Sequence, residues 1–156
     1  MTHTLEQPTA IHRLKIYKVS PELYDAMMKL STEAAKDIDP TIAELVKIRA
    51  SQLNHCAFCL DMHVADAREQ GETEQRLALI AAWEEAGTLF TDRERAALEL
   101  TEAITELGNG HVSDDVYAKA ADVFSEKELA QVIAMAVTIN AWNRFNVATR
   151  MKAPRR

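Results

Sequence analysis

Both cysteines of the chain, Cys56 and Cys59, lie in one short segment, and His63 follows the second after three intervening residues. If this segment is helical, residues three and four positions apart share one face of the helix. Two sulfur atoms and one imidazole would then lie close together. This spacing makes the segment the first candidate for a functional site.

The pattern of Cys56, Cys59 and His63 predicts redox chemistry. A thiol has an unperturbed pKa of about 8.5, and its reactive form is the thiolate, which a helix N-terminus stabilises. His63, one turn beyond Cys59, can hold a positive charge or relay a proton. The α-carbons of a helical pair three residues apart lie roughly 5 Å apart, within the range of a disulfide. The pair is therefore expected to cycle between dithiol and disulfide through a sulfenic acid.

Two other interpretations of the cysteine pair stay open at this point. Buried cysteines often serve only as small hydrophobic side chains. Alternatively, Cys56, Cys59, His55 and His63 offer four potential zinc ligands. Zinc knuckles normally present their Cys-x-x-Cys pair from a turn and take the second ligand pair from a distant segment, so the spacing favours redox chemistry.

The composition indicates a single folded domain. The chain has 156 residues, of which 47% are hydrophobic and 27% are charged, as in an ordinary globular protein. Its net charge of -6 offers no large positive field, so nucleic acid is not an expected partner. No run approaches the roughly 18 apolar residues of a membrane span and no N-terminal signal peptide is evident, which predicts a cytoplasmic protein that does not bind membranes. Thiols are kept reduced in the cytoplasm, where a lone Cys-x-x-Cys pair indicates redox or metal chemistry.

Helical signals cover the chain after a leader. Residues 1–19 are predicted to form an N-terminal arm, and residues 20–156 a single helical domain of about six to seven helices. The sequence shows no sustained period-2 alternation and no hairpin dipeptide, which predicts an all-α fold. The helix of the cysteines is apolar on nearly all sides, which is typical of a central helix. Capping residues and apolar spacing place helices at 21–36, at 40–53, from a cap at Asn54 to before Gly71, at 73–85, from Thr91 to Leu107, after Ser113, and from Ser125 to about Arg150.

Glu44 lies on the second predicted helix. On a helical wheel it falls opposite the apolar stripe, so periodicity alone predicts a solvated carboxylate. With Cys56, Cys59 and His63, however, it completes the pattern E-x11-C-x2-C-x3-H. On these four residues the chain resembles the alkylhydroperoxidase D (AhpD)-like proteins of the carboxymuconolactone decarboxylase superfamily.

The resemblance implies an all-helical, AhpD-like fold that forms homotrimers or homohexamers and reduces hydroperoxides. It implies that Cys59 attacks the peroxide and Cys56 resolves the product as a disulfide, while Glu44 and His63 relay protons. The expected reductant is an external dithiol on a lipoylated or thioredoxin-like protein, and no metal or tightly bound cofactor is expected. Well-studied AhpD proteins carry a histidine immediately before the second cysteine, where this chain has Phe58.

The superfamily leaves two other functions open. One is a decarboxylase or lactone-processing activity on a small organic acid. Cysteine-free members of the superfamily indicate that this chemistry does not require the cysteine pair. The other is a non-enzymatic zinc-binding or structural oligomer.

Three polar residues interrupt the apolar pattern of the last helix. Asn140, Asn143 and Arg144 lie on one face of this helix. They either line the cysteine site or fix the register of helices that pack across a subunit interface. The interface is favoured, because amides and arginine commonly have this role between packed helices.

Overall fold

The computed structural model describes residues 11–155. This part of the chain contains no β-strand, which confirms the predicted all-α fold. It has eight α-helices, close to the predicted six to seven, and two short 3₁₀ stretches. No helix in the described residues is long and apolar enough to cross a membrane. The helices are α1 (Ile16–Val19), α2 (Pro21–Ala34), α3 (Pro40–Leu53), α4 (Ala57–Glu69), α5 (Glu74–Leu79), α6 (Asp92–Thr105), α7 (Asp114–Val123) and α8 (Glu126–Ala148), with the 3₁₀ stretches Ile80–Glu85 and Gly87–Leu89 after α5.

Three of these helices begin where the sequence places a capping residue. The Asp39 carboxylate accepts hydrogen bonds from the N–H groups of Thr41 and Ile42, at 2.8 and 3.2 Å, and so caps α3. Thr91 and Ser125 form complete capping boxes at α6 and α8. These side chains bind N–H groups that have no partner within the helix. The predicted starts of these three helices are therefore confirmed.

The prediction of a fourth helix over residues 73–85 is wrong for the second half of that range. The α-helix ends at Leu79, and in the 3₁₀ stretch that follows Ala82 departs from helical geometry, with φ -133° and ψ 34°. Leu77, Ile80 and Trp83 are all buried. Their spacing of three residues matches the 3₁₀ repeat, and periodicity over so short a segment does not separate the two helix types.

The central helix of the described chain is α3, which packs against α4, α6 and α8. The prediction that the helix of the cysteines is central is wrong. The buried residues of α4 are Cys59, His63 and Ala67, whereas Met62 is 40% exposed. Its other apolar side chains remain partly exposed, although α4 packs against α3 and α8.

The arm predicted at residues 1–19 lies partly outside the described residues. From residue 11 onward it contains α1, which packs against α2. The Arg13 guanidinium donates a hydrogen bond to the backbone oxygen of Ala148, at 2.8 Å. The described part of the arm therefore contacts α2 and the end of α8, and the division into an arm and one domain stays a prediction.

Candidate active site

A tight turn after α3 places the first cysteine. The Cys56 N–H donates to the Ser51 carbonyl at 3.0 Å, and the His55 N–H donates to the Gln52 carbonyl at 3.2 Å. These two bonds form the Schellman pattern of helix ends. His55 has φ 52°, in the left-handed region that usually favours glycine, and its side chain is exposed. The backbone therefore passes directly from α3 to α4, with Cys56 at the junction.

Cys56 is the N-cap of α4 and not a residue of its first turn. Its sulfur accepts the N–H of Cys59 at 3.4 Å, and α4 begins at Ala57. The prediction that Asn54 caps this helix is wrong, because Asn54 is the C-cap of α3. An N-cap side chain points to the third residue of its helix, so the three-residue spacing still brings the two sulfur atoms together.

The two cysteines are joined by a disulfide. Their α-carbons are 5.4 Å apart, and the S–S distance is 2.04 Å. Both residues are buried, with Cys56 2% and Cys59 1% exposed. In this oxidised state the pair offers no thiolate ligand, so the four-ligand zinc arrangement with His55 and His63 is not formed.

Glu44 approaches His63 from the neighbouring helix. Glu44 is 6% and His63 8% exposed, and Glu44 Oε2 lies 3.4 Å from His63 Nδ1. The prediction from periodicity alone, that Glu44 is a solvated carboxylate, is therefore wrong. It is wrong because α4 packs against α3 and covers the polar side of that helix. The structure brings together Glu44 and His63, the two residues to which the resemblance assigns proton transfer.

Two further groups contact the Glu44 carboxylate. Lys47 Nζ lies 2.5 Å from Glu44 Oε1, and Gln70 Nε2 donates to the same oxygen at 3.4 Å. Burial raises the pKa of the Glu44 carboxyl, but the interactions with His63 and Lys47 lower it by more. The net pKa of Glu44 is below its ordinary value, so this carboxylate is ionised at neutral pH.

The facing atoms of Glu44 and His63 are incompletely bonded. Glu44 Oε2 and His63 Nδ1 are both buried, and neither makes a hydrogen bond of standard geometry to the rest of the described chain. Their separation of 3.4 Å is longer than that of a well-formed charge-assisted hydrogen bond. The two atoms face each other at the contact between α3 and α4.

One group of side chains in residues 11–155 has the spacing of a metal site. Glu44, His63 and Asp66 each offer one ligand atom, and these atoms lie within 4.8 Å of one another. The ammonium of Lys47, 2.5 Å from Glu44, opposes the binding of a cation at this position. The arrangement therefore fits an acid–base pair better than a metal centre.

A cavity of about 200 Å³ reaches Glu44. Its lining includes Gln70, Glu72 and Arg76 but neither cysteine. A polar cavity of this size can hold water. Glu44 therefore borders a polar cavity that neither cysteine lines.

Glu44 is expected to make the folded state sensitive to acid. Because its pKa is lower in the folded state, its contribution to the free energy of unfolding is complete above the ordinary value of 4.5 and is lost as the pH falls below it. The difference in unfolding free energy between wild type and Glu44→Gln should therefore shrink between about pH 6 and about pH 3. Urea unfolding at several pH values measures this difference.

The matched control for this pH series is Glu22→Gln, which removes an exposed carboxylate on α2. It accounts for the general effect of losing one negative charge. A wild-type advantage over Glu44→Gln that stays constant or grows toward acid pH would contradict the prediction.

A network of asparagines ties the turn to α8. The side-chain amide of Asn54 donates to Oδ1 of Asn140 and to Oδ1 of Asn143, each at 2.9 Å. Asn143 donates to Ser51 Oγ at 3.0 Å, and Asn140 donates to Thr105 Oγ1 at 2.9 Å. The interface interpretation places the partners of Asn140 and Asn143 on another subunit, whereas the structure gives both buried amides partners within the chain.

Two more polar side chains follow on α8. Arg144, which is exposed, donates to the backbone oxygen and to Oδ1 of Asn140, at 3.0 and 2.7 Å. Asn146 Nδ2 donates to Cys59 Sγ at 3.4 Å. Sequence reasoning did not identify Asn146. The signal that could have found it is its position three residues after Asn143, on the same face of the helix.

Phe58 occupies the position immediately before the second cysteine. Its side chain is half-buried and packs against the core cluster that contains Cys56 and Cys59. A phenyl ring cannot transfer protons. The role that a histidine has at this position in well-studied AhpD proteins is therefore not available to Phe58.

The chain is similar to known proteins over most of its length. Residues 21–103 match the model of the carboxymuconolactone decarboxylase family. YdfG of Bacillus subtilis (strain 168), an uncharacterised protein, is 39% identical over 142 residues, which cover 90% of this chain and 96% of YdfG.

Solved structures show the same fold. The crystal structure of ATU0492 from Agrobacterium tumefaciens, a protein of unknown function suggested to be an antioxidant defence protein AhpD, has a TM-score of 0.89 at 33% identity. The likeness covers 94% of this chain and 100% of that one. An uncharacterised peroxidase-related protein from Silicibacter sp. TM1040 has a TM-score of 0.77 at 17% identity, over 88% of this chain and 73% of its own, which shows likeness of fold. With a family model that matches more than half of its residues, this chain belongs to the carboxymuconolactone decarboxylase family and has an AhpD-like fold.

Proposed function

We propose that this protein is a thiol-dependent hydroperoxide reductase whose cysteine pair cycles between dithiol and disulfide. The observation that carries the proposal is the buried disulfide between Cys56 and Cys59 at the start of α4, one turn before His63. Closing such a disulfide releases two electrons, the number that reduction of one hydroperoxide requires.

The chemistry proceeds in two steps. The Cys59 thiolate attacks the outer peroxide oxygen, so a sulfur–oxygen bond forms and the oxygen–oxygen bond breaks. The departing alkoxide takes a proton and leaves as the alcohol, and Cys59 becomes a sulfenic acid. The Cys56 sulfur then attacks the Cys59 sulfur, and the hydroxide that leaves is protonated to water as the disulfide forms. One hydroperoxide is thereby reduced to an alcohol and water, while two thiols are oxidised.

Glu44 and His63 are the proposed proton carriers. Thiols must lose a proton to react, and the alkoxide and the hydroxide must gain one to leave. His63 Nδ1 faces the ionised Glu44 at 3.4 Å, and Nε2 is the ring nitrogen proposed to exchange protons with the reacting groups. The polar cavity that Glu44 lines is the proposed place where this pair exchanges protons with water.

Turnover requires a dithiol that reopens the disulfide. The external dithiol attacks one sulfur of the pair, forms a mixed disulfide, and leaves as its own disulfide, which returns two thiols to the protein. We propose a lipoylated or thioredoxin-like protein as this reductant and a homotrimer or homohexamer as the assembly, because the family resemblance implies both. The proposed cycle requires no metal and no bound cofactor.

Intact mass after one equivalent of hydroperoxide tests the proposal. Reduced wild type should lose the mass of two hydrogens and both titratable thiols, faster than free cysteine reacts under the same conditions. Hydrogen peroxide and cumene hydroperoxide are compared, because Phe58 adds an apolar side chain beside Cys59. A reaction no faster than that of free cysteine with either peroxide would overturn the proposal.

The family match also supports a second candidate, decarboxylation of a carboxymuconolactone-like acid. This chemistry would leave the cysteine pair unused. A double variant with Cys56→Ser and Cys59→Ser that decarboxylates such a lactone at the wild-type rate would favour this second function. Stoichiometric zinc in protein purified without chelator would instead favour the zinc-binding alternative.

A further inference from the structure

We infer that Asn146 activates Cys59 by donating a hydrogen bond from its side-chain amide to the thiolate sulfur. The inference deepens the proposed function, which assigns the attack on the peroxide to Cys59. Asn146 Nδ2 lies 3.4 Å from Cys59 Sγ, although the two residues are 87 positions apart in the chain. The contact therefore links α8 to the first turn of α4.

Each sulfur of the pair has its own donor. Cys56 Sγ accepts the backbone N–H of Cys59 at 3.4 Å, whereas Cys59 Sγ accepts the amide of Asn146. A hydrogen bond to an ionised acceptor is stronger than one to a neutral acceptor. Asn146 should therefore stabilise the Cys59 thiolate more than the Cys59 thiol or the disulfide.

The asparagine network sets the register that this contact needs. Asn143, three residues before Asn146, is buried and binds the turn through Ser51 and Asn54. The same turn carries Cys56 and leads into α4. The hydrogen bonds that hold α8 against the turn therefore also hold the Asn146 amide beside the sulfur.

The side chain that donates to Cys59 Sγ is a neutral amide, that of Asn146. A substitution at Asn146 removes this donor and leaves the surrounding charges in place. The titratable and charged residues near the cysteines in the chain are His55, Asp61, His63 and Asp66. Glu44 and Lys47 on α3 and Arg144 on α8 belong to helices that pack against α4.

The pH profile of alkylation tests the inference. In a Cys56→Ser background Cys59 is the single thiol, and serine is a favoured N-cap, so α4 keeps its start. The midpoint of iodoacetamide alkylation should move to higher pH by about one unit in Asn146→Leu, which lowers the thiolate fraction at neutral pH about tenfold. In Asn146→Asp it should move further, because a carboxylate replaces the donor with a like charge. Asn109→Leu, the same change at an exposed loop position, should leave the midpoint in place.

An unchanged midpoint in Asn146→Leu would overturn the inference, because the shift in Asn146→Asp also contains the repulsion by the added carboxylate. Alanine also removes the donor and adds no charge, so Asn146→Ala takes the place of the leucine variant if that variant does not fold, which circular dichroism detects. Alkylation uses no hydroperoxide, so the two proposals fail separately. A shifted midpoint in a protein whose wild type does not reduce hydroperoxides would support the Asn146 contact and overturn the proposed function.

Discussion

After one equivalent of hydroperoxide, Cys56→Ser is expected to carry one additional oxygen on Cys59 and to lose turnover. The sulfenic acid persists because no second thiol is present to condense with it. Serine at this position should keep the fold, since it is a favoured N-cap and its hydroxyl can accept the Cys59 N–H as the sulfur does. Intact mass, together with labelling by a reagent specific for sulfenic acids, detects the trapped species.

The paired variant Cys59→Ser should not react faster than free cysteine. Cys56 retains its thiol in this variant but is expected only to resolve the sulfenic acid and not to attack the peroxide. The assigned roles would be reversed by two results together. Cys59→Ser would accumulate a sulfenic acid on Cys56, and Cys56→Ser would gain no oxygen. The pair of variants therefore tests which sulfur attacks, separately from whether the protein reduces peroxides.

His63→Gln should lower the rate of hydroperoxide reduction by about 10² to 10⁴, the range for loss of a positioned acid–base group. Glutamine is close to histidine in size and polar, but it cannot shuttle a proton. The imidazole is buried against Glu44. Single-turnover oxidation of the reduced protein, followed by loss of thiol, measures the effect without the external reductant.

Glu44→Gln should cause a smaller loss, because Glu44 is proposed to act through His63. The double variant with His63→Gln should be no slower than His63→Gln alone, since the effects of residues that act as a unit are not additive. Glu69→Gln, which removes an exposed carboxylate from the last turn of α4, should keep the wild-type rate. Full additivity of the two losses would contradict a shared proton relay.

Local signals predicted much of the fold. The helix predicted at 40–53 has the observed bounds Pro40–Leu53, because the Asp39 cap and a proline at its first position define its start within a few residues. The predictions of capping boxes at Thr91 and Ser125 are confirmed for the same reason. These interactions join residues close in the chain, so the sequence contains all of their partners.

The cysteine pair could also be predicted from spacing. Cys56 and Cys59 are three residues apart at the start of a helix, and the disulfide joins α-carbons separated by 5.4 Å. The exact start of α4 could not be predicted, because a cysteine is an uncommon N-cap and Asn54 is the residue type that caps usually require. The structure shows that Asn54 instead binds α8.

By itself the sequence determined an all-α chain and a cysteine pair with a histidine one turn later, because these features depend on spacing within one helix. Only the tertiary structure decided that Glu44 is buried against His63 and that Asn146 donates to Cys59. Helical periodicity places Glu44 on a polar face, and that face becomes buried only because α4 packs against it. Asn146 reaches the sulfur from a helix near the other end of the chain, and only the packing of α8 against α4 creates that contact.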